Sequence, residues 1–219
     1  MLDALEEKVN PEHTAVIVVD VQNDFCSSDG AFARVGKDIS FIQQMVPRLV
    51  SFVKEARRFR VPVIFTRSLI NQWTDSPMRA QRLKDTGMSR VPFCSEGAPG
   101  AEFYEVFPEP GECVVTKHRF SAFLDTNLDL ILRSRKIRSL IMTGVATNVC
   151  VESTARDGCA YDYHIILLDD CCGTGSVAEH QSTLVNMRNY FGVVATSHDV
   201  VSAWTRIAGR ARQKSDVTN

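Results

Sequence analysis

Three residues with complementary chemistry stand at or shortly after the ends of short apolar segments: Asp20, Lys117 and Cys150. A carboxylate beside a thiol can take its proton, and a nearby ammonium group balances the resulting negative charge. The thiolate would then be a nucleophile for acyl transfer. Each residue alone also has a simpler explanation. Asp20 could cap a loop or helix, Lys117 could be a surface charge with a buried stem, and most cysteines in α/β proteins are small buried hydrophobes.

Of the seven cysteines, Cys150 has the predicted surroundings that best suit a reactive thiol. It follows a turn that contains Gly144 and lies in the first turn of the next predicted helix, where unpaired N–H groups and the helix dipole favour a thiolate. The same N–H groups could receive an oxyanion. An odd number of cysteines does not suit a disulfide framework, and no C-x-x-C pair suggests zinc. The other six are interpreted as buried hydrophobes: Cys26, Cys94, Cys113, Cys159, Cys171 and Cys172.

Alternating strand and helix patterns predict how these residues are positioned. Short β-branched runs, typical of strands buried on both faces, occupy residues 14–20, 61–66, 113–117, 139–143, 164–169 and 192–196. Helical spacing of apolar residues occupies 40–59, 126–136, 149–161 and 177–191. This alternation predicts a single-domain α/β fold, a doubly wound, Rossmann-like and mostly parallel six-stranded sheet with helices on both faces. Ligands of such sheets bind outside the carboxyl ends of the strands.

A length of 219 residues favours one domain. We expect an N-terminal extension at 1–13, the catalytic domain at 14–205 and a polar tail at 206–219 that is disordered from Gly209 onward. Residues 69–112 carry Gly, Pro and charge without a long period. A segment of that length is a lid, an oligomer contact or a solvated surface excursion with one short helix.

Composition and missing motifs exclude several function classes. Lys and Arg total 25 against 26 Asp and Glu, so the chain offers no basic surface for nucleic acid or an anionic membrane. Phosphate-loop, dinucleotide, zinc-protease and serine-hydrolase motifs are missing from the sequence. The acidic start lacks a secretory signal and no apolar stretch approaches 18 residues, so we expect a cytoplasmic protein.

Three separated motifs resemble those of the isochorismatase-like cysteine hydrolases. They are AVIVVDVQNDF around Asp20, KHRFSAF beginning at Lys117 and TGVATNVCVESTARDG around Cys150. The likeness runs in the family's order from about residue 14 to 202. It implies an Asp–Lys–Cys triad at those three positions, with no metal and no cofactor. It also implies a cis peptide at Val145–Ala146 that directs the backbone N–H groups of Ala146 and Cys150 to an oxyanion.

Within the family, the motifs look most like the ureidoacrylate amidohydrolase branch, with biuret and triuret hydrolases and N-carbamoylsarcosine amidohydrolase as further relatives. Nicotinamidases carry an Asp-x-His metal site near strand two, whereas this chain has no histidine between His13 and His118. True isochorismatases act without the cysteine. The resemblance therefore implies an amidohydrolase that releases ammonia from a small carbamoyl or ureido amide, and family members commonly form homodimers or homotetramers.

Residues close to the predicted strand ends are candidates for the wall of the substrate pocket. Arg119 could pair with a substrate carboxylate or with Asp125, and on a strand His118 would point away from Lys117. The full set of candidates is Gln22, Asn23, Phe25, Arg67, Arg119, Phe120, Phe123 and Thr147. Two other functions stay open: redox sensing by Cys150, and a catalytically silent binding protein of the same fold.

Overall fold

In the part of the chain that the structure describes, six parallel strands form one central sheet. The computed structural model describes residues 4–87 and 91–217. The strand order is β3-β2-β1-β4-β5-β6, so the order reverses between β1 and β4. Every pairing between neighbouring strands is parallel. The strands are β1 (Thr14–Val19), β2 (Val63–Ser68), β3 (Cys113–Lys117), β4 (Ser139–Val145), β5 (His164–Gly173) and β6 (Gly192–Ala195).

Helices cover both faces of this sheet, which confirms the predicted doubly wound α/β fold. One face carries a core that includes Val16, Val18, Phe65 and Trp204, and the other a core that includes Ile17. The α-helices of the described residues are α1 (Leu5–Lys8), α2 (Asn23–Cys26), α3 (Ala31–Arg34), α4 (Ser40–Arg58), α5 (Pro77–Asp85), α6 (Leu128–Ser134), α7 (Glu152–Ala160), α8 (Val177–Asn186) and α9 (Ser197–Val217). Helices α4 and α9 pack on the first face, and α6, α7 and α8 pack on the second.

β5 is longer than its apolar run predicts. The prediction ended the strand at Asp169, but β5 continues to Gly173. Its two aspartates do not interrupt it because both carboxylates have partners. Asp170 accepts hydrogen bonds from the backbone and hydroxyl of Ser197, and Asp169 accepts one from His180.

The prediction of a disordered tail is wrong for the described residues, because α9 continues to Val217. The helix is anchored by the N-terminal extension. The buried Trp204 indole donates to the carbonyl oxygen of Val9 at 2.6 Å. Arg206 and Arg210 both pair with Glu6. Residues 218–219 and 1–3 lie outside the described residues.

The segment 69–112 contains α5 and a short 3-10 turn at Pro99–Ala101, and residues 88–90 within it lie outside the described residues. An isolated bridge pairs its Phe103 with Gln22, just after β1, and a second bridge pairs Ile70 with Ser95 within the segment. The Leu69 N–H also donates to the carbonyl oxygen of Lys117 at 3.0 Å. The segment therefore lies beside the carboxyl ends of β1 and β3.

Candidate active site

Asp20, Lys117 and Cys150 meet at the carboxyl edge of the sheet, as predicted; we call them the triad. Lys117 Nζ lies 2.6 Å from Asp20 Oδ2 and 3.4 Å from Cys150 Sγ. All three residues are buried, with exposures of 0%, 1% and 8% in chain order. Lys117 Nζ also donates to the carbonyl oxygen of Arg119 at 2.9 Å. The lysine thus joins a carboxylate and a thiol that are 130 residues apart in sequence.

Asp20 immediately follows β1 and is held by the neighbouring strand. Thr66 Oγ1 donates to Asp20 Oδ1 at 2.7 Å, and the Asp20 N–H faces the same hydroxyl at 3.3 Å. Oδ2 forms the ion pair with Lys117, and the Asp20 carboxylate also faces the Cys150 thiol. Sequence reasoning missed Thr66, although a threonine inside the apolar run of β2 was a usable signal.

Lys117 is the last residue of β3 and projects from the same face as Val115. Burial disfavours its charge, but the opposite charge of Asp20 and the neighbouring thiol outweigh it and raise the pKa of Lys117 above its usual range. The side chain is therefore an ammonium ion at neutral pH. His118 points elsewhere, as predicted, with Nδ1 2.8 Å from the carbonyl oxygen of Leu69.

The resting state of Cys150 differs from the prediction that a helix start favours a thiolate. Burial raises the pKa of the Cys150 thiol to about 12; the charge of Lys117 opposes this effect and that of Asp20 adds to it. Removal from water therefore outweighs the neighbouring ammonium charge, and the thiol keeps its proton at neutral pH. The Asp20 carboxylate lies near this thiol, and both groups contact the Lys117 ammonium.

The backbone around Cys150 forms an irregular turn. Residues Thr147–Val151 form a π turn, which we call the nucleophile turn, and the Val145–Ala146 peptide is cis, as predicted. The Ala146 carbonyl accepts from the N–H groups of Val149 at 3.0 Å and Val151 at 3.2 Å. The N–H of Cys150 lies between these two in sequence and is not bound by that carbonyl in the described chain. π turns of this kind are frequent at functional sites.

Gly144 allows β4 to approach β1 just before the nucleophile turn. Its φ is +106°, and a Cβ at this position would lie 2.1 Å from the carbonyl oxygen of Val19. A side chain would therefore push apart the two strands that carry Asp20 and Cys150.

A buried threonine, which sequence reasoning also missed, fixes the other side of the nucleophile turn. Thr154 Oγ1 donates to the carbonyl oxygen of Cys150 at 2.7 Å and accepts from the Ala122 N–H at 3.0 Å. It thereby joins the turn to the loop that follows Lys117. The sequence alone could not predict this role, because the partner of Thr154 lies in a loop that is distant in sequence.

Two of the predicted wall residues hold the loops together. Gln22 is fully buried; its amide nitrogen donates to the carbonyl oxygens of Ser68 at 3.0 Å and Ala101 at 2.7 Å, and its oxygen accepts from the Ser68 N–H. Asn23 Nδ2 donates to the carbonyl oxygen of Pro99 at 2.8 Å. These amides are engaged by backbone groups.

The three predicted aromatic wall residues differ in their surroundings. Phe25 packs against Phe32 and Phe93, with ring centroids 5.0 and 6.4 Å away. Phe123 is buried and stacks on Tyr161 with centroids 5.2 Å apart. Phe120 is 60% exposed and lies three residues after Lys117. Of the three, only Phe120 has a largely exposed ring that could contact a ligand.

The remaining wall candidates also have protein partners. Arg67 projects from the sheet face opposite Lys117, because adjacent strand residues alternate, and its Nε donates to Thr116 Oγ1 at 3.1 Å. Within the described chain, Arg119 donates to the carbonyl oxygens of Thr74 and His118 and not to Asp125. Thr147 is buried in the nucleophile turn against His180. Arg67 is therefore not brought to the triad.

Within residues 4–87 and 91–217, no group of three or more His, Cys, Asp or Glu side chains is arranged to hold a metal ion. No helix in this part of the chain is long and apolar enough to cross a membrane. All seven cysteines are free thiols.

The chain is similar to known proteins over most of its length. Residues 14–199 match the isochorismatase domain. The chain belongs to the isochorismatase family of hydrolases. It is 34% identical over 209 residues to the ureidoacrylate amidohydrolase RutB of Enterobacter sp. (strain 638), a match that covers 88% of this chain and 90% of that protein. The resemblance inferred from the three sequence motifs is thereby confirmed.

Solved structures show the same fold. The cysteine hydrolase from Pseudomonas syringae pv. phaseolicola 1448A superimposes with a TM-score of 0.79 at 29% identity, covering 91% of this chain and 95% of its own. N-carbamoylsarcosine amidase from Thermoplasma acidophilum gives a TM-score of 0.66 at 25% identity, covering 84% of this chain and 96% of its own.

Proposed function

We propose that this protein is a cysteine-dependent amidohydrolase that cleaves a small carbamoyl or ureido amide through a thioester and releases ammonia. The observation that carries the proposal is the buried contact of Lys117 Nζ with both Asp20 Oδ2 and Cys150 Sγ, at 2.6 and 3.4 Å. The matched relatives named as an amidohydrolase and an amidase support an amide as the substrate.

The first half of the reaction forms the thioester. Asp20 Oδ2 takes the thiol proton of Cys150 and the sulfur attacks the amide carbonyl carbon. The oxygen that becomes negative is received by the N–H groups of Ala146 and Cys150, while the ammonium of Lys117 stabilises the negative charge shared by carboxylate and sulfur. Asp20 then gives its proton to the nitrogen as the C–N bond breaks, so ammonia leaves.

The second half regenerates the thiol. Asp20, again a carboxylate, takes a proton from water as the water oxygen attacks the thioester carbonyl carbon. The C–S bond breaks, the acid product leaves, and the proton returns from Asp20 to the sulfur. The net reaction consumes one water and yields one ammonia and one acid. The raised pKa of Cys150 makes Asp20 necessary, because very little free thiolate is present at neutral pH.

An ammonia-release screen tests the proposal directly. The substrates are ureidoacrylate, biuret, triuret, N-carbamoyl amino acids and simple amides, each assayed with the native protein and with Cys150→Ala. We expect release by the native protein, its loss in the variant and persistence after exhaustive chelation. Equal release by both proteins would refute the thioester mechanism, and no release from any substrate would favour a binding role.

Intact-mass analysis separates acyl transfer from redox chemistry. During turnover we expect Cys150 to gain the mass of the acyl group, and Cys150→Ala to gain nothing. Oxygen additions at Cys150 without an acyl adduct would instead indicate a redox sensor.

A further inference from the structure

A buried histidine lies against the nucleophile turn outside the triad. His180, on α8, is 1% exposed, and its Nδ1 is 3.0 Å from the hydroxyl of Thr147. Thr147 is fully buried and directly follows Ala146, one of the two residues whose N–H groups would receive the oxyanion. The imidazole therefore contacts the turn next to the reacting atoms without being one of the proposed catalytic groups.

The partner on the other side of the ring determines where its proton lies. His180 Nε2 is 2.8 Å from Asp169 Oδ1, and a carboxylate can only accept. Nε2 therefore carries a proton, and in the Nε2–H tautomer Nδ1 has the lone pair to which the Thr147 hydroxyl donates. Phe41 packs edge-on against the imidazole, with ring centroids 5.0 Å apart. The ring is thus held on three sides.

The next residue of the turn is anchored in a similar way. Thr174, just beyond β5, donates its hydroxyl to Asn148 Oδ1 at 2.8 Å. Two consecutive side chains of the turn, Thr147 and Asn148, are thus bound to groups on α8 or beside β5. These bonds hold the backbone of the turn in one orientation, and that orientation determines where its N–H groups point.

We infer that His180 is a positioning residue that acts through Thr147, holding the Ala146 and Cys150 N–H groups on the oxyanion. This inference rests on the proposed thioester mechanism. An oxyanion exists only in the transition state and intermediate, so misplaced donors lower kcat and leave KM nearly unchanged. If the hydrogen bond served stability alone, its removal would lower the free energy of unfolding without lowering kcat at an unchanged KM.

Three substitutions test the inference. Thr147→Val keeps the shape and removes the hydroxyl, and we expect kcat per active site to fall about tenfold with KM within twofold. His180→Asn places an acceptor near the Nδ1 position and should retain kcat within about threefold. His180→Gln reaches the Nε2 position instead, so it should lose about as much as Thr147→Val.

The matched control is Thr183→Val. Thr183 is a buried threonine one turn further along α8, and its hydroxyl donates to Glu152 on α7. We expect native kcat from this variant. The fraction of folded protein in every variant is measured by circular dichroism and urea unfolding, so that a poorly folded protein is not taken for a slow one.

Two readouts keep this inference separable from the proposed function. Acylation of Cys150 by p-nitrophenyl acetate uses the same N–H groups without an amide substrate, and Thr147→Val should slow it about tenfold. If no amide is cleaved but this slowing is found, the proposed function fails and the inference stands. ¹⁵N NMR of the native protein should show a proton on Nε2 of His180.

Three results would overturn the inference. The first is native acylation rates in Thr147→Val. The second is equal losses in His180→Asn and His180→Gln, and the third is a proton on Nδ1 of His180 in the native protein.

Discussion

The triad and the segment 69–112 lie side by side at the carboxyl edge of the sheet, but they are built differently. Triad side chains are at most 8% exposed, and their partners are one another, Thr66 of β2 and the backbone of Arg119. The segment exposes Trp73 at 86% and Met78 at 79%. An open groove of about 610 Å³ runs along it, lined by residues that include Ile70, Trp73 and Glu96.

This difference separates the residues that determine the reaction from those that can determine the substrate. Reacting groups are placed by buried strand ends, which tolerate little change, whereas the neighbouring loop offers side chains that can vary without disturbing the sheet. Motifs around Asp20, Lys117 and Cys150 therefore indicate the reaction better than the substrate. Substitutions in the triad and in the segment 69–112 test this difference.

The largest effect is expected within the triad. Asp20→Asn keeps the shape but removes the proton acceptor, so kcat for ammonia release should fall about 10³-fold. Asp129→Asn is the matched control, because that carboxylate pairs with Arg133 on the surface, and it should stay within about twofold. Activity above a tenth of native in Asp20→Asn would remove the carboxylate from the mechanism.

The next effect concerns the side chain that joins the two regions. Gln22→Ala removes three hydrogen bonds, two to the half-buried backbone of Ser68 and one to the buried carbonyl oxygen of Ala101. We expect the free energy of unfolding, measured with urea, to fall by about 3 kcal/mol. Asn23→Ala, which loses one bond to Pro99, should cost about 1 kcal/mol. A raised KM with unchanged stability in Gln22→Ala would instead make it a substrate contact.

Buried thiols predict alkaline instability. Burial raises the pKa of Cys150 and of Cys26 to about 12, above the 9.0 of an unperturbed thiol. Between these values the unfolded chain loses protons that the folded protein keeps. The free energy of unfolding should therefore fall as pH rises above 9, by up to about 1.4 kcal/mol per pH unit for each thiol.

Urea titrations at pH 8, 9 and 10 measure this slope. Cys26→Ala should reduce the slope of the unfolding free energy against pH by the contribution of one thiol. Asp75→Asn, in the exposed segment, should leave that slope unchanged. A slope in Cys26→Ala equal to that of the native protein would contradict the assignment.

The smallest effect is expected at the exposed tip of the segment. Trp73→Ala should change the free energy of unfolding by less than about 0.5 kcal/mol and leave kcat within about twofold. A shift in KM alone would mark the groove as a substrate contact. Destabilisation above 1 kcal/mol would show that the indole of Trp73 packs against protein. The triad and the segment 69–112 would then differ less than the exposed fractions of their side chains indicate.

The sheet and the triad were predictable because both depend on short-range patterns. Apolar runs mark buried parallel strands, and parallel strands bring Asp20, Lys117 and Cys150 to one edge wherever they lie in the chain. Helix α4 was predicted at 40–59 and spans Ser40–Arg58 for the same reason.

What was not predictable depends on partners that are distant in sequence. Arg67 was expected at the pocket, but the strand register places it on the opposite face beside Thr116. The role of Gln22 in joining the loops could not be assigned, because its partner Ala101 is distant in sequence. The state of Cys150 depends on how much water the fold excludes, which the start of a helix does not reveal.

The bond from the Trp204 indole to the carbonyl of Val9 spans 195 residues. A ribosome adds residues in order, so the partner of Val9 does not exist until nearly all of the chain described here has been synthesised. The face of the sheet covered by α4 and α9 is therefore completed last. Until then the apolar side chains that Trp204 will cover, Phe52 and Phe59 among them, must be shielded in some other way.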